Sequence, residues 1–340
     1  MWWKIGENCR ASYASGGQQN YKGEVSSEME RKVKKKICFF SGDITRNGGT
    51  ERVTLLIIQK LKELGKYDIS ILSIVEQRTQ PFFDIQDEIK RTKLDNGTEW
   101  IAPGLKYIPL VPRLHRFLKN NKIDILIDVD VILDLLSVPA SVGLKTKIIA
   151  WEHFNYNYIW PSKTYQKFRQ VTQWFSARSA DFIVTLTKKD QENYGNRLGR
   201  RKAIQTIHNP MMLVKQSEKV LMREKSIITV GRLTWVKGID LLGKLIPTVL
   251  KKYPDWKWYV LGEGEERPRL EAAQNELPMV SFDIQTGPSE IIEDGKNVFL
   301  IPPFSLDNMR EIIEYLIQHD EVRKMFSKNT QYIQERFDVH

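Results

Sequence analysis

Only two cysteines, Cys9 and Cys38, occur in 340 residues, so the chain encodes neither a disulfide framework nor a cysteine-based metal site. A reducing, cytoplasmic setting is the expectation. Long apolar runs are equally scarce, because Asp124, Asp128, Asp130 and Asp134 interrupt the longest candidate well before the ~18–20 residues that a spanning helix needs. Any membrane contact is therefore expected to be peripheral. Residues 1–28 carry glycine, serine and glutamine but no apolar stretch of the secretory kind. Residues 1–34 are expected to form a disordered leader, with Met29 an alternative natural start.

Acidic residues are outnumbered, 42 against 52 Lys and Arg, for a net charge of +10. This favours a polyanionic partner: nucleic acid, anionic lipid or sugar phosphate. The cations are dispersed among helices and no recognised nucleic-acid module is present, which argues against the first. The 41% of apolar residues is enough for two cores in a chain this long.

From Lys36 onward, β-branched and aromatic runs alternate with segments of helical period. KICFFSG, YDISILSIV, IDILIDVDV, TKIIAWEHF and DFIVTLT read as strands. Between them lie helix candidates at 50–64, where Val53, Leu56, Ile57, Leu61 and Leu64 share a face, near Leu114, near Leu135 and at 165–180. This alternation predicts an α/β, doubly wound, mostly parallel sheet. The pattern ends at TIHNP, residues 206–210, and restarts with SIITVG, WKWYVLGEG, PMVSFDI and NVFLIPP. The expected division is a first domain over 35–210, a linker over 211–224 and a second domain over 225–340. Two such sheets facing each other would bind ligands outside the carboxyl ends of their strands.

Three segments carry candidate chemistry. In SIITVGRLTWVKGID, a strand delivers Arg232 past a glycine and Lys237-Gly238 opens a helix, so two cations and a helix N-terminus surround a volume suited to a diphosphate. Gly48-Gly49 opens the helix after the first strand, where backbone can approach a ligand; a tight turn is the plainer reading. Glu152 and His153 follow a strand directly, at the rim, where an imidazole can bond a hydroxyl or move a proton. The plainer reading of His153 is a packing residue between aromatics. His208 is assigned to the linker turn.

GGTERV, WEHFNY, VTLTKKD, IHNPM, VGRLTWVKGIDLL, WYVLGEGEER and VSFDIQTGPSEIIEDGKNVFLIPP, in that order, resemble glycosyltransferase family 4. The resemblance implies the retaining GT-B architecture, two Rossmann-like domains facing a cleft. It implies transfer of a hexose or N-acetylhexosamine from a nucleotide-sugar, by family habit a UDP-sugar, to a lipid-linked or polysaccharide acceptor. Arg232 and Lys237 match the pair that binds the donor diphosphate and stabilises its charge as the glycosidic bond breaks. Gly48 and Gly49 match the loop bordering donor and acceptor. His153 resembles the first-domain histidine that contacts the transferred sugar, and Glu290 matches a segment near the nucleotide. Neither a cofactor nor a metal is implied, because side-chain cations and helix dipoles neutralise the diphosphate. Arg113, Arg116, Lys119 and Lys122, near one helix, form a basic surface that could sit on anionic lipid at the inner face of the membrane; a solvated helix face is the plainer reading.

The chain departs from the family after LGEGEERPRLEAAQNE, where relatives carry two further strand–helix units before the equivalent of LPMVSFDI. Glu263-Gly264 and Glu271-Ala272 reproduce the family's glutamate spacing for a sugar and ribose clamp. Either they form that clamp, or two similar segments have been spliced by an internal deletion; the second is expected, because WYVLGEGEER is itself a family segment one strand earlier. Losing a buried strand removes side chains worth about 1.5–3 kcal/mol each, so the second domain is expected to be shortened. The alternative function is then a catalytically inactive remnant that binds acceptor or membrane only. Val298 stands where relatives carry glycine, which predicts strain if the turn there is left-handed.

Overall fold

The computed structural model describes residues 34–97, 104–158, 162–200, 203–210, 225–230, 239–261, 279–282, 294–296, 298–303 and 305–329. The expected leader over 1–34, all but its last residue, and the linker over 211–224 lie outside them.

Seven strands build one sheet: β1 (Lys35–Ser41), β2 (Tyr67–Ser73), β3 (Lys90–Lys93), β4 (Ile125–Asp128), β5 (Lys147–Glu152), β6 (Phe182–Thr185) and β7 (Ile204–Thr206). Their order is β3-β2-β1-β4-β5-β6-β7, and every pairing is parallel. The order reverses between β1 and β4, which is where open sheets of this kind form a ligand crevice beyond their carboxyl ends. In β1, five consecutive residues from Ile37 to Ser41 are buried, because helices cover both faces. Burial on both faces is why KICFFS reads as a continuous apolar run and not as an alternation.

One face is covered by α1 (Gly49–Glu63), whose Val53, Ile57, Ile58 and Leu61 pack on Phe39, Ile71 and Ile127. The opposite face is covered by α2 (Val111–Asn121) and α3 (Asp134–Ser141); Leu114, Leu118, Leu133 and Leu136 lie against Cys38, Phe40, Leu72 and Leu126. Two further helices, α4 (Lys163–Ser179) and α5 (Lys188–Asn196), close a smaller cluster around Ala150, Ala177, Ile183 and Tyr194. The polar edge strand β3, sequence KRTK, and the polar helix α5, sequence KKDQENYGN, were not expected from the sequence. Both are held by the sheet and by hydrogen bonds, so neither shows an apolar period.

The second half repeats the parallel pattern in pieces. Strand β8 (Ser226–Val230) pairs with β9 (Lys257–Leu261) around α6 (Ile239–Lys252), and β10 (Met279–Phe282) pairs with β11 (Val298–Ile301). Leu245 and Val249 of α6 meet Ile313 of α7 (Leu306–Gln318). The ring of Phe299 packs on Phe326 of α8 (Asp320–Asn329) at 4.8 Å. Among the described residues these are two separate two-stranded sheets. Ile228, Tyr259 and Val260 stay 47%, 42% and 40% exposed, although parallel strands are ordinarily covered on both faces. The strain expected at Val298 is not found. Val298 opens β11 fully buried, and Gly295, at φ 74°, takes the left-handed position.

Candidate active site

Because all seven strands run the same way, the segments after β1, β4, β5 and β6 leave one rim of the sheet. The first is fastened by Asp43. Its carboxylate accepts from the Thr45 amide (2.8 Å) and hydroxyl (2.6 Å) on one oxygen and from the Gln77 amide (3.1 Å) on the other. This ties the β1–α1 loop to the loop after β2. Gly48 and Gly49 then open α1 at the rim, as expected. Gly48 has ordinary extended backbone (φ −146°), so its requirement is space: a methyl group there would strike Oε2 of buried Glu51. Glu51 is itself held by Arg46, so it cannot swing aside without breaking an ion pair.

Beyond β5 the chain turns a corner around Glu152. Its side chain is fully buried, which corrects the expectation that it stands at the rim. One oxygen accepts from Arg169 Nη2 (2.7 Å) and the Phe154 amide (3.1 Å), the other from Gln173 Nε2 (3.0 Å) and the Tyr194 hydroxyl (2.9 Å). Burial pushes this carboxyl upward from its ordinary range and Arg169 opposes it. Burial also works against the charge of Arg169, but Asp130 and Glu152 outweigh it and hold the guanidinium cationic. Arg169 continues to Asp130 beyond β4 and lies over the Phe154 ring at 5.0 Å. Asp130 also accepts from the Ile132 amide at 3.1 Å, so a single guanidinium joins the ends of two neighbouring strands.

His153 sits on this corner, half-buried overall, with its ring 4.1 Å from that of Trp151. Its Nε2 is shielded from solvent and has no hydrogen-bond partner among the described residues. Burial drives its pKa down to about 4, against a smaller opposing pull from Asp130. At neutral pH the imidazole is therefore uncharged, able to donate from one nitrogen and accept at the other. Packing on Trp151 agrees with the plainer reading of this residue, and the unused nitrogen is what a binding role requires. Nearby, burial and the charge of Asp130 raise the Tyr165 hydroxyl to about 12.

Beneath the corner lies a second buried pair, Asp128 and Asp134. Ser137 donates to Asp128, but Asp128 Oδ1 and both oxygens of Asp134 find no donor among the described residues. Ser176 donates to the Val131 carbonyl at 3.2 Å and also acts on Asp134. The two acids satisfy each other only if one keeps its proton and gives it to the other. Burial first, with the charges of Asp130 and Glu152, raises Asp134 to about 7, although hydrogen bonding works the other way. Burial and then Asp134 raise Asp128.

Of the residues singled out from sequence, Gly48, Gly49 and His153 lie on this rim. Arg232, Lys237, Glu263, Glu271 and Glu290 lie outside the described residues. His208 lies where expected, after β7, with Nδ1 2.9 Å from the Leu186 carbonyl. Sequence reasoning missed Asp130, Asp134, Arg169, Gln173 and Tyr194. In the sequence Asp130 and Asp134 stand out only as interruptions of an apolar run. The signal in α4 is a polar stripe, Arg169, Thr172, Gln173 and Ser176, at the 0, 3, 4, 7 spacing of one helix face, all buried.

Comparison with known proteins gives two family matches. The model described as Glycosyltransferase Family 4 matches residues 47–213, and that described as Glycosyl transferases group 1 matches 267–332. An uncharacterised glycosyltransferase of Haemophilus influenzae is 27% identical over 353 positions, covering 90% of this chain and 97% of that one. Since 90% of 340 residues is 306, about 47 of those positions are filled by the relative alone. A Campylobacter jejuni enzyme is 24% identical over 245 residues, covering 69% of this chain and 64% of its own. Its name is GalNAc-alpha-(1->4)-GalNAc-alpha-(1->3)-diNAcBac-PP-undecaprenol alpha-1,4-N-acetyl-D-galactosaminyltransferase. Among solved structures, a mutant of Staphylococcus aureus TarM in complex with fondaparinux, alpha-GlcNAc-glycerol and UDP superposes with a TM-score of 0.69 at 14% identity, over 89% of this chain and 97% of that one. That likeness shows the fold, which is GT-B.

The shared proton makes a stability prediction. Because the folded pKa of Asp134 is raised, its contribution is complete below the ordinary value of 3.8 and is lost as pH rises towards about 7. Asp134→Asn should therefore gain melting temperature relative to wild type between pH 4 and 7. A pH-independent difference would contradict the shared proton.

Proposed function

Because the chain belongs to glycosyltransferase family 4, we propose that it moves a hexose or N-acetylhexosamine from a UDP-sugar to a lipid-linked or polysaccharide acceptor, with retention of configuration. The observation that carries the reading is His153: a neutral imidazole with a buried, unpartnered nitrogen at the carboxyl end of β5, two strands from the reversal of sheet order. A group in that state suits recognition of a sugar hydroxyl, and its low pKa makes it unsuited to carrying a proton at neutral pH. Donor and acceptor in the neighbours agree in kind: the TarM complex contains UDP, and the Campylobacter enzyme is named for a polyprenyl-diphosphate-linked saccharide.

In the transfer, the bond between the anomeric carbon and the diphosphate oxygen breaks and one to the acceptor hydroxyl oxygen forms. The hydroxyl proton leaves with the departing diphosphate. Arg232 and Lys237 are the cations we assign to that diphosphate, where fixed positive charge counts most as negative charge develops. Gly48 and Gly49 are assigned to admit the sugar close to backbone at the start of α1, and Glu290 is assigned to the nucleotide. We read the second domain as shortened. The 47 or so unmatched positions of the Haemophilus relative support this, since two strands, two helices and their connections come to roughly that length. On this reading Glu263 and Glu271 belong to the junction.

The acceptor side is proposed to meet an anionic membrane surface peripherally, on its cytoplasmic face. No helix among the described residues is long and apolar enough to cross a membrane. Helix α2 buries Leu114 and Leu118 and leaves Arg113, Arg116 and Lys119 exposed, with Lys122 at its end. Cations of this kind are each worth about 1 kcal/mol near an anionic leaflet.

Two measurements test this. UDP release from UDP-sugars in the presence of a polyprenyl-diphosphate-linked saccharide should fall by roughly 100-fold or more in Arg232→Ala, the range for loss of a preorganised charge contact; an unchanged rate would remove Arg232 from the diphosphate. Binding to phosphatidylglycerol vesicles should weaken in the Arg113→Glu/Arg116→Glu/Lys119→Glu variant, and equal binding by variant and wild type would remove α2 from the membrane.

A further inference from the structure

The corner after β5 is more heavily built than a strand end requires. Glu152 takes four hydrogen bonds from three directions: the main chain at Phe154, helix α4 through Arg169 and Gln173, and helix α5 through Tyr194. The Phe154 bond spans residue 153, so it closes a tight loop with His153 at its apex. Phe154 is covered in turn by the Arg169 guanidinium. Tyr156, two residues on, donates its amide to Asp190 of α5 at 3.0 Å and packs edge-on to Tyr194 at 6.2 Å. Glu152, Phe154 and Tyr156 are thus tied to α4 or α5, while the imidazole Nε2 itself contacts no donor or acceptor among the described residues.

We infer that Glu152 is the positioning residue for His153: clamped by Arg169, Gln173 and Tyr194, it fixes the corner so that the imidazole stays turned inward with one nitrogen reserved for a sugar hydroxyl. The assignment rests on the role proposed above for His153. The ladder runs Asp130–Arg169–Glu152, so Asp130 after β4 holds the same guanidinium from the other side. It couples the position of the imidazole to the strand end at the sheet's reversal.

The groups facing His153 account for its uncharged state. Asp130 from the end of β4 favours a cation, Arg169 from α4 is spent on Asp130 and Glu152, and Glu152 lies saturated by donors. Tyr165 of α4 and Tyr194 of α5 keep their protons, the Asp190 carboxylate accepts from the Tyr156 amide and the Thr187 hydroxyl, and Arg197 lies over the Tyr156 ring. Desolvation is the largest influence left. It persists only while the corner keeps the ring turned in. A loosened corner would let the ring reach water and regain its ordinary basicity.

The test follows the His153 ring by NMR titration in the full chain, beside kcat and KM for the nucleotide-sugar, in Glu152→Gln and in Tyr194→Phe. The second variant removes one hydroxyl and keeps the ring, so it carries the test if the first does not fold. The midpoint of His153, expected near 4 in wild type, should rise towards 6.5. In the same variants kcat should fall by roughly ten- to a hundred-fold, as for loss of a group that orients another, with KM unchanged. Folded variants whose His153 midpoint does not move overturn the proposal whatever their rate, and a moved midpoint with an unchanged kcat overturns it too. Should wild type transfer no sugar at all, a moved midpoint would still uphold the positioning and only the sugar-transfer reading would fall.

Discussion

The arrangement of the rim depends on the burial of one carboxylate. Glu152 is the last residue of a central strand, out of contact with water, and a charge in that position is tolerated only with every lone pair occupied. Arg169, Gln173, Tyr194 and the Phe154 amide supply that occupancy. Meeting it dictates where α4 and α5 lie, how the chain leaves β5 and which way the next residue faces. Breaking such a pair on one side leaves an uncompensated buried charge, at about 3–5 kcal/mol, a large fraction of the ~5–15 kcal/mol that holds a domain together. The network therefore belongs to the fold as much as to the site.

The sheet brings this corner to a place where it can act. Parallel strands put all their carboxyl ends on one rim, and the reversal of order between β1 and β4 opens space there. The β1–α1 loop, anchored by Asp43, brings Gly48 and Gly49 to that space; β4 brings Asp130, and β5 brings His153. Beneath them the Asp128–Asp134 pair adds a proton-sharing contact at the same strand end. What results is a rim with an uncharged imidazole, a carboxylate and close-lying backbone. These suit hydroxyl-bearing substrates.

Much of the fold was legible because its signal is apolar. The runs around Phe39, Ile71, Ile127, Ile149 and Val184 mark strands buried on both faces, and the 3.6 period of α1 is explicit in Val53, Ile57 and Leu61. Strand β3 and helix α5 escaped because charged residues build them and hydrogen bonds hold them. At the site, Gly48, Gly49 and His153 were legible as a glycine pair before a helix and a histidine after a strand. Glu152 was seen and misplaced: its position at a strand end suggested exposure, and only the tertiary fold reveals that α4 and α5 close over it. Asp130, Arg169 and Tyr194 are far apart in sequence, so no local pattern connects them. Val298 was misjudged because the left-handed backbone is taken by Gly295.

The central claim is that the second half of this chain still presents a diphosphate site to the rim built by the first. Calorimetric titration of the full chain with UDP, beside the Arg232→Ala/Lys237→Ala variant, tests it most directly. The account predicts saturable binding of one UDP by wild type and its loss in a variant that remains folded. Equal binding by both, or none by a folded wild type, would contradict it.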